Sequence, residues 1–240
     1  MRPMRCDSRT MEFDSIKVTR YEMNCSIVWC EKTMRAAVVD PGGDLSEILN
    51  FLELMELEPE VAVVTHGHFD HAGGAAQFAA LTGARIEGPN RGDDHLVVRL
   101  EEMGERFGLS GAQSYVPSRW LEHGDRVHFG EEYLDVLHCP GHCKGHVAYF
   151  SPKMRQAFVG DILFRGAIGA WEHADGNLPL LVDSIRSKLF TLGDDVGFVP
   201  GHGDNSTMGY ERLKNPFVGE EAMERWRERF GGRPDPAVEV

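Results

Sequence analysis

One short block of the sequence limits the possible fold and chemistry of this chain more than any other feature. Residues 65–71 read Thr-His-Gly-His-Phe-Asp-His, and they directly follow residues 61–64, a wholly apolar run typical of a strand buried on both faces. Three imidazoles and a carboxylate cannot enter an apolar core without partners, because each unpaired polar atom costs free energy there. They cannot share one helical face either, since residues two apart diverge. We therefore expect a loop at the end of a strand, with a nitrogen- and oxygen-rich cluster that suits zinc, iron or manganese.

Three further pieces of the sequence share the same pattern, in which a short apolar run ends beside glycine and a metal-ligand residue type. Their sequences are Pro140-Gly141-His142, Gly160-Asp161 and Pro200-Gly201-His202-Gly203. Each follows a predicted strand, at residues 133–137, 157–159 and 196–199. Strand ends gather at one edge of a layered α/β fold, where binding sites are usually assembled. A single histidine-rich surface turn would explain one such piece, but four in one chain favour a metal site.

Strand and helix patterns alternate along the whole chain, without a repeat or a linker between domains. The other predicted strands are residues 16–18, 26–30, 36–39, 85–87, 126–129 and 147–150. The predicted helices are residues 45–55 after an N-cap at Asp44, 72–81, 94–107, 180–189, 208–213 and 220–230. We therefore predict one domain of two sheets flanked by helices over residues 15–230, with a polar tail at 1–14 and a frayed tail at 231–240.

The composition of the chain restricts the kinds of binding partner and the cellular compartment that we expect. The chain of 240 residues carries 25 basic and 38 acidic side chains, a net charge of −13, which argues against a nucleic-acid partner. No run of about 18 apolar residues occurs, so we expect no membrane span. Five cysteines are too few and too irregular for a disulfide framework, which favours a reducing, cytoplasmic setting.

In this order, the four pieces resemble the metallo-β-lactamase superfamily, and within it the glyoxalase II-like hydrolases. The resemblance is greatest to short bacterial members that lack a C-terminal helical substrate domain, and it covers residues 16–217. Further matching pieces are Asn24-Cys25, Asp40-Pro41-Gly42-Gly43, the block Cys139 to His146, Tyr210-Glu211-Arg212 and Asn215-Pro216-Phe217. The fold that the resemblance implies is an αββα sandwich, with two sheets flanked by helices.

The resemblance also implies a site with two divalent metal ions, for which we expect zinc, with iron or manganese as alternatives. His66, His68 and His142 would hold the first ion. Asp70, His71 and His202 would hold the second ion, and Asp161 would bridge both. The implied reaction is hydrolysis by a hydroxide that bridges the metals, with Asp70 and Asp161 as the catalytic carboxylates. We interpret His146 as a residue that supports the metal loop rather than as a ligand.

Other histidines and two cysteines stand outside this set. We interpret the histidines without a partner motif as surface residues and expect little effect from His173→Ala; they are His95, His123, His128 and His173. His138, which ends a strand beside the site, is left open. Cys139 and Cys143 flank His142, and we interpret them as reduced, packed thiols, because a second cysteine pair for a zinc centre is missing. The family commonly has threonine at position 143.

The substrate that the resemblance implies is a small acyl-thioester such as S-D-lactoylglutathione. Similar enzymes often continue after the Gly-Asp piece with Gly-Arg-Ser/Thr-Asp, whereas this chain reads Gly169-Ala170-Trp171-Glu172. The basic residue is therefore lost, and Arg165 is the nearest basic candidate for substrate binding. Trp171 either lines an apolar substrate pocket or packs on the surface layer.

Two alternative reactions remain within the same family. The first is ester, lactone or β-lactam hydrolysis by an enzyme of broad specificity. The second is oxygen consumption by an iron persulfide dioxygenase, which needs a single iron and is disfavoured by the complete second set of ligands.

Overall fold

Two stacked β-sheets form the centre of the structure, a computed structural model that describes residues 10–230. The first sheet has the strand order β1-β2-β3-β4-β5, with bounds Met11–Val18, Met23–Cys30, Arg35–Val39, Glu58–Val63 and Arg85–Glu87. The second sheet has the strand order β13-β12-β9-β8-β7-β6. Taken along the chain, the strands β6 to β9 have the bounds Arg126–Phe129, Glu132–His138, Val147–Ser151 and Gln156–Gly160. The strands β12 and β13 have the bounds Gly197–Pro200 and Ser206–Thr207. A separate two-stranded ribbon joins β10 (Leu163–Phe164) to β11 (Ala167–Ile168).

Helices cover the outer face of each sheet. Those in the first half of the chain are α1 to α5, with bounds Leu45–Leu54, Phe69–Ala72, Ala75–Thr82, Asp94–Val97 and Leu100–Phe107. Those in the second half are α6 to α8, with bounds Leu178–Ser184, Met208–Lys214 and Glu220–Phe230. The helix α6 continues through a wider turn at Ile185–Leu189. None of the helices in the described part of the chain has the length and apolarity that a membrane crossing needs.

The alternation of side chains along each strand explains the four layers. In β3, Ala36 and Val38 face the first-half helices, whereas Ala37 and Val39 face the second sheet. In β9, Phe158 faces the first sheet, while its neighbours face the second-half helices. Both faces of these central strands are therefore apolar and buried, one against a helix layer and the other against the opposite sheet. The αββα sandwich expected from the sequence is confirmed.

The first strand begins earlier than the sequence suggested. Met11 is buried and pairs with Cys30, so β1 includes residues 11–14, which were expected to belong to a polar tail. That expectation was wrong because the polar residues Glu12 and Asp14 alternate with Met11 and Phe13, which hides the strand character of this segment. The remaining residues of the two expected tails, 1–9 and 231–240, lie outside the described part of the chain.

Two predicted helices are interrupted. The helix expected at residues 72–81 is divided at Gly73 and Gly74, which pack against carbonyl oxygens where a side chain would not fit: an added Cβ would lie 2.4 Å from Phe69 O and Pro41 O, respectively. The helix expected at 94–107 is divided between Val97 and Leu100.

The helix cap predicted at Asp44 is absent. Asp44 has φ +46° and makes no side-chain cap hydrogen bond to α1. Its carboxylate instead accepts a hydrogen bond from Thr19 N at 2.6 Å, which ties the turn after β1 to the start of α1.

Parallel pairing brings the functional loops to one edge of the sandwich. β9 and β12 are parallel, with Pro200 opposite Gly160, so Asp161 and His202 follow neighbouring strand ends. β3 and β4 are also parallel, which places Asp40 beside Thr65. The loop between β7 and β8 joins this edge because Val147 N donates to Thr65 O.

The contact between the sheets should carry much of the stability. Phe158 is 1% exposed and its ring meets that of Phe13 edge-on at 5.3 Å. We expect Phe158→Ala to lower the free energy of unfolding by about 3–5 kcal/mol, measured by chemical denaturation. Val116, which is 85% exposed, provides the control, since Val116→Ala should change it by less than about 0.5 kcal/mol. Equal effects of the two variants would show that the sheets are not held together at this point.

Candidate metal centre

Three histidine nitrogens meet at the end of β4. His68 Nδ1 lies 3.0 Å from His66 Nε2 and 3.0 Å from His142 Nε2. Two of these residues come from the loop at 65–71 and the third from the loop between β7 and β8. His66 is fully buried and His142 is 3% exposed, so the cluster opens outward only past His68.

A second group lies beside the first and contains both nitrogen and oxygen atoms. His202 Nε2 lies 3.3 Å from Asp70 Oδ2, and His71 Nε2 lies 3.9 Å from the same oxygen. Asp161 lies between the two groups: its Oδ1 is 3.3 Å from His71 Nε2, and its Oδ2 is 3.9 Å from both His142 Nε2 and His202 Nε2. The structure thus brings together all seven residues that the resemblance implied as ligands.

The opposite nitrogen of each imidazole is also occupied. His142 Nδ1 donates to the Ala170 carbonyl at 2.8 Å, and His202 Nδ1 donates to the Tyr21 carbonyl at 3.0 Å. His68 Nε2 contacts Cys143 Sγ at 3.7 Å. Because a carbonyl oxygen can only accept, the ring proton of His142 and of His202 points away from the centre, and the inner nitrogen keeps its lone pair.

Asp40 holds the other two rings, directly or through a hydroxyl. Its Oδ2 accepts from His71 Nδ1 at 2.9 Å and from Thr65 Oγ1 at 2.6 Å, and its Oδ1 accepts from Thr65 N at 2.7 Å. Since the hydroxyl of Thr65 donates to Asp40, its oxygen accepts from His66 Nδ1 at 3.0 Å. Asp40 is 2% exposed and has φ +54°, a strained conformation for a residue other than glycine. In the sequence, Asp40 stands out only as part of the motif Asp40-Pro41-Gly42-Gly43, which does not indicate this role.

These contacts fit a pair of cations. The inner nitrogens of the histidines offer lone pairs to one another, which a divalent ion between them would satisfy. Among the described residues, His71 Nε2 and Asp161 Oδ1 are buried side-chain atoms without a hydrogen-bond partner, and both point into the centre. The donor set of imidazole and carboxylate suits zinc, iron or manganese.

The electrostatics of the centre also favour bound cations. Burial lowers the pKa of His66 well below its ordinary value, and the neighbouring His71 lowers it further. For His71 burial also lowers the pKa, but the Asp161 and Asp70 carboxylates more than reverse this effect and raise it well above the ordinary value. Burial raises the pKa of Asp161, yet the charge of the neighbouring His71 holds it well below its usual range. The Asp70 and Asp161 carboxylates therefore favour positive charge at this point of the centre, which bound cations would supply.

Two further buried residues fix the loops that carry these ligands. His146 Nε2 accepts from Asp161 N at 3.1 Å, and the His146 ring stacks on the ring of His66 with centroids 4.4 Å apart. The Asp93 carboxylate accepts hydrogen bonds from Gly67 N at 3.0 Å and from Gly145 N at 2.6 Å. It therefore joins the loop at 65–71 to the loop between β7 and β8. Burial raises the pKa of Asp93 to about 6, although both backbone hydrogen bonds lower it. No motif in the sequence pointed to Asp93.

Glycine is required where two elements of the centre meet. A Cβ on Gly201 would lie 2.1 Å from Asp161 Oδ1 and 2.6 Å from His71 Cε1. The Pro-Gly-His-Gly pattern therefore has a direct steric reason, since only glycine lets the β12 loop lie against the carboxylate.

His173 has a position that the sequence did not suggest. It is exposed, as expected, but its ring lies edge-on to the rings of His142 and His68, with centroids 5.4 and 5.7 Å away. The expectation that replacing His173 has little effect was made without knowing that its side chain lies at the mouth of the metal centre. The loop that carries it is anchored by Asp175, which pairs with Lys144 at 2.8 Å and with His95 at 2.9 Å.

The remaining residues singled out from the sequence lie farther from the ligand atoms or serve the fold. Trp171 packs edge-on against Phe217 with centroids 6.0 Å apart, on the second-half core. Arg165 is exposed and lies 3.5 Å from Asp204. His138 Nε2 bonds to the Lys144 carbonyl. His123 and His128, which were also interpreted as surface residues, are exposed.

Comparison with known proteins agrees with the architecture and the ligand pattern. A family model described as the metallo-beta-lactamase superfamily matches residues 19–202. The hydroxyacylglutathione hydrolase GloC of Haemophilus influenzae is 37% identical over 209 residues, which is 87% of this chain and 98% of that protein. The probable metallo-hydrolase YqgX of Bacillus subtilis is 30% identical over 183 residues, 75% of this chain and 86% of that protein.

Two solved structures share the fold over nearly their whole length. The B3 metallo-beta-lactamase BLEG-1 has a TM-score of 0.79 at 27% identity and covers 86% of this chain and 99% of its own. TTHA1623 in a di-iron-bound form has a TM-score of 0.77 at 30% identity and covers 85% and 99%, respectively.

The role of Asp40 can be tested through metal retention. We expect Asp40→Asn to weaken metal binding by about 10–100-fold, because an amide offers one acceptor oxygen to three donors. The measurement is competition with a chromogenic chelator. Asp183→Asn, a change of the same kind on an exposed residue of α6, should leave the affinity unchanged. Wild-type affinity in Asp40→Asn would show that the two rings do not depend on this carboxylate.

Proposed function

The chain belongs to the metallo-beta-lactamase superfamily, and we propose that it is a two-metal hydrolase of small acyl-thioesters, such as S-D-lactoylglutathione. The relative GloC, with which it shares 37% identity, bears the name hydroxyacylglutathione hydrolase. A second relative with that name, from Aeromonas salmonicida, is 33% identical over 160 residues. This chain therefore combines the family's fold with a similarity to enzymes named for one thioester substrate.

The observation that supports this proposal most directly is the position of Asp161 between two groups of ligand atoms. We assign His66, His68 and His142 to the first metal and Asp70, His71 and His202 to the second, with Asp161 bridging. Both Asp161 oxygens face histidines, and each group contains a histidine nitrogen within 3.9 Å of that carboxylate. Such a bridge is needed because two cations a few ångströms apart repel each other.

The side chains of this site hold, orient and shield the reacting groups. Bound divalent ions would lower the pKa of a coordinated water from near 16 to about 7 and so make a nucleophile available at neutral pH. Asp70 and Asp161 supply the negative charge that keeps the pair of cations together, and we propose them as the catalytic carboxylates. Asp40 and the carbonyls of Ala170 and Tyr21 fix the imidazole orientations. His146 supports Asp161 through its backbone N–H and is proposed as a supporting residue.

The metal and the compartment are proposed on chemical grounds. Zinc remains our first assignment, with iron or manganese as alternatives, because the donor set accepts all three. The similarity to TTHA1623, which was solved in a di-iron-bound form, supports iron as the strongest alternative. A reducing, cytoplasmic setting is consistent with free, buried thiols at Cys25, Cys30, Cys139 and Cys143.

Substrate selection in this chain depends on the loop at 170–177. Ala170 occupies the position of the expected basic residue, and Arg165 already faces Asp204. Trp171 packs against Phe217, so its ring serves the core more than an open pocket. The ring of His173, which belongs to this loop, lies edge-on to the rings of His68 and His142, two of the residues assigned to the first metal. We therefore propose His173, rather than Arg165 or Trp171, as a residue that contacts the substrate.

A second candidate function is β-lactam, lactone or ester hydrolysis. It is favoured by the similarity to BLEG-1, a B3 metallo-beta-lactamase that is 27% identical to this chain. The same metal pair would serve either reaction, so the substrate decides between them. Persulfide dioxygenation is a weaker candidate, because a single iron would leave the second group of ligands without a role.

The proposed activity predicts release of a free thiol. Protein loaded with zinc, iron or manganese should hydrolyse S-D-lactoylglutathione, measured with a thiol-reactive dye. Asp161→Ala should abolish turnover and lose bound metal, since the bridging carboxylate is gone. Asp183→Ala, on an exposed face of α6, should behave as the wild type. Two bound metals without turnover of any acyl-thioester would refute this substrate class, and turnover of β-lactams or lactones alone would favour the second candidate.

The role of His173 predicts a loss of catalytic efficiency without loss of metal. His173→Ala should lower kcat/KM for the thioester about fivefold to tenfold, the loss of roughly one hydrogen bond to the substrate. His123→Ala, an exposed histidine in another turn, is the matched control. An unchanged kcat/KM in His173→Ala would exclude a substrate contact.

A further inference from the structure

A cleft of about 410 Å³ borders the metal centre, and the proposed reaction gives it no role. It lies between the turn after β1, the start of α1, the start of α3 and the loop that follows α5. Its lining residue Arg20 directly precedes Tyr21, whose carbonyl accepts from His202 Nδ1 at 3.0 Å. On another wall Gly42 packs against Asp70, since an added Cβ would lie 1.7 Å from the Asp70 carbonyl oxygen. The cleft therefore adjoins the second group of ligands.

The charges of the cleft are one cation and one anion that do not neutralise each other. Arg20 and Asp44 are the two charged residues that line it, and both are exposed. Within the described part of the chain, the hydrogen-bond partners of both side chains are uncharged groups. A cleft with two separate and opposite charges matches a ligand that carries both signs itself.

The guanidinium of Arg20 keeps donors for such a ligand. Its Nη2 donates to the Phe107 carbonyl and, at 3.1 Å, to the Tyr21 hydroxyl. These bonds tie the turn after β1 to the end of α5, and among the described residues they leave the donors on Nη1 and Nε unused. A guanidinium presents its donors in a planar fork that fits a carboxylate.

The carboxylate of Asp44 supplies the opposite charge. Its Oδ2 accepts from Thr19 N at 2.6 Å, and within the described residues Oδ1 has no such bond. An ionised carboxylate only accepts, so a ligand ammonium is its natural partner. We infer that this cleft binds an α-amino-acid zwitterion, with Arg20 on the carboxylate and Asp44 on the ammonium group. Such a zwitterion ends the γ-glutamyl arm of a glutathione thioester, and free amino acids carry it as well.

The placement of a γ-glutamyl arm in the cleft rests on the thioester hydrolysis proposed above. His173 lies against His68 and His142 of the first group, whereas the cleft adjoins the second group. A thioester that contacts both would therefore extend across the metal pair. The cleft would then select thioesters of glutathione over those of thiols that lack an amino-acid end.

The first experiment titrates the zinc-loaded protein with S-methylglutathione in a calorimeter. This thioether has no thioester bond to hydrolyse and no free thiol to bind the metals. We expect Arg20→Gln and Asp44→Asn each to weaken its binding about tenfold, the loss of one charge-assisted hydrogen bond. Arg20→Lys keeps the charge without the fork and should lie between the wild type and Arg20→Gln.

The matched control is Arg106→Gln, which removes an exposed arginine of α5 that does not line the cleft and should bind as the wild type does. The zinc content of each variant is measured alongside, so that a disturbed metal centre is recognised. Wild-type affinity in zinc-loaded Arg20→Gln or Asp44→Asn would overturn the inference.

The second experiment varies the ligand on the wild-type protein and so does not depend on how any variant folds. N-acetyl-S-methylglutathione lacks the ammonium group and should bind about tenfold more weakly than S-methylglutathione. L-Glutamine, titrated in competition, separates the two sources of the zwitterion. Displacement by L-glutamine would identify free amino acids as ligands, whereas binding of S-methylglutathione alone would identify the γ-glutamyl arm.

Equal affinity for the acetylated and the parent compound, or no binding of either S-methylglutathione or L-glutamine, would contradict the inference. None of these titrations requires turnover. A protein that hydrolyses acyl-thioesters but binds neither ligand would therefore refute the zwitterion site alone, and one that binds them without hydrolysing thioesters would refute the proposed function alone.

Discussion

The metal centre depends on what holds the far side of each imidazole. A histidine can offer a lone pair to a cation only if its ring proton is held elsewhere, and this chain provides a separate partner for each ring. Asp40 has the largest share of this task, because it fixes His71 directly and His66 through the Thr65 hydroxyl. Its strained backbone, with φ +54°, is maintained by three hydrogen bonds to one buried carboxylate. These contacts therefore fix the orientation of the ligand rings.

The fold serves this arrangement by bringing loops from both sheets to one edge. The block at 65–71 follows a strand of the first sheet, while Asp161 and His202 follow neighbouring parallel strands of the second. Asp93 then fastens Gly67 of one loop to Gly145 of another. Because the apolar faces between the sheets fix the distance between these loops, the stability of the sandwich and the geometry of the centre are coupled.

The sequence predicted the parts of this structure that local pattern determines. The ligand types lie directly after short apolar strands, and the family resemblance that these motifs carry implied the seven residues and the αββα layers. Contacts between distant segments were not. The approach of His173 to His142 depends on how the loop at 170–177 is anchored through Asp175 and Lys144, which no local pattern encodes. The strand from Met11 was missed because its outward face is polar, and Asp93 because a lone buried aspartate carries no motif.

The central claim is that two cations share one centre built from nitrogen and oxygen donors. X-ray absorption at the metal edge of the metal-loaded protein tests this claim most directly, since it reports the neighbours of each ion and the distance between ions. The account predicts a shell of imidazole nitrogen and carboxylate oxygen, with a second metal about 3.5–4 Å away. A single isolated ion, or a shell that contains sulfur, would contradict it.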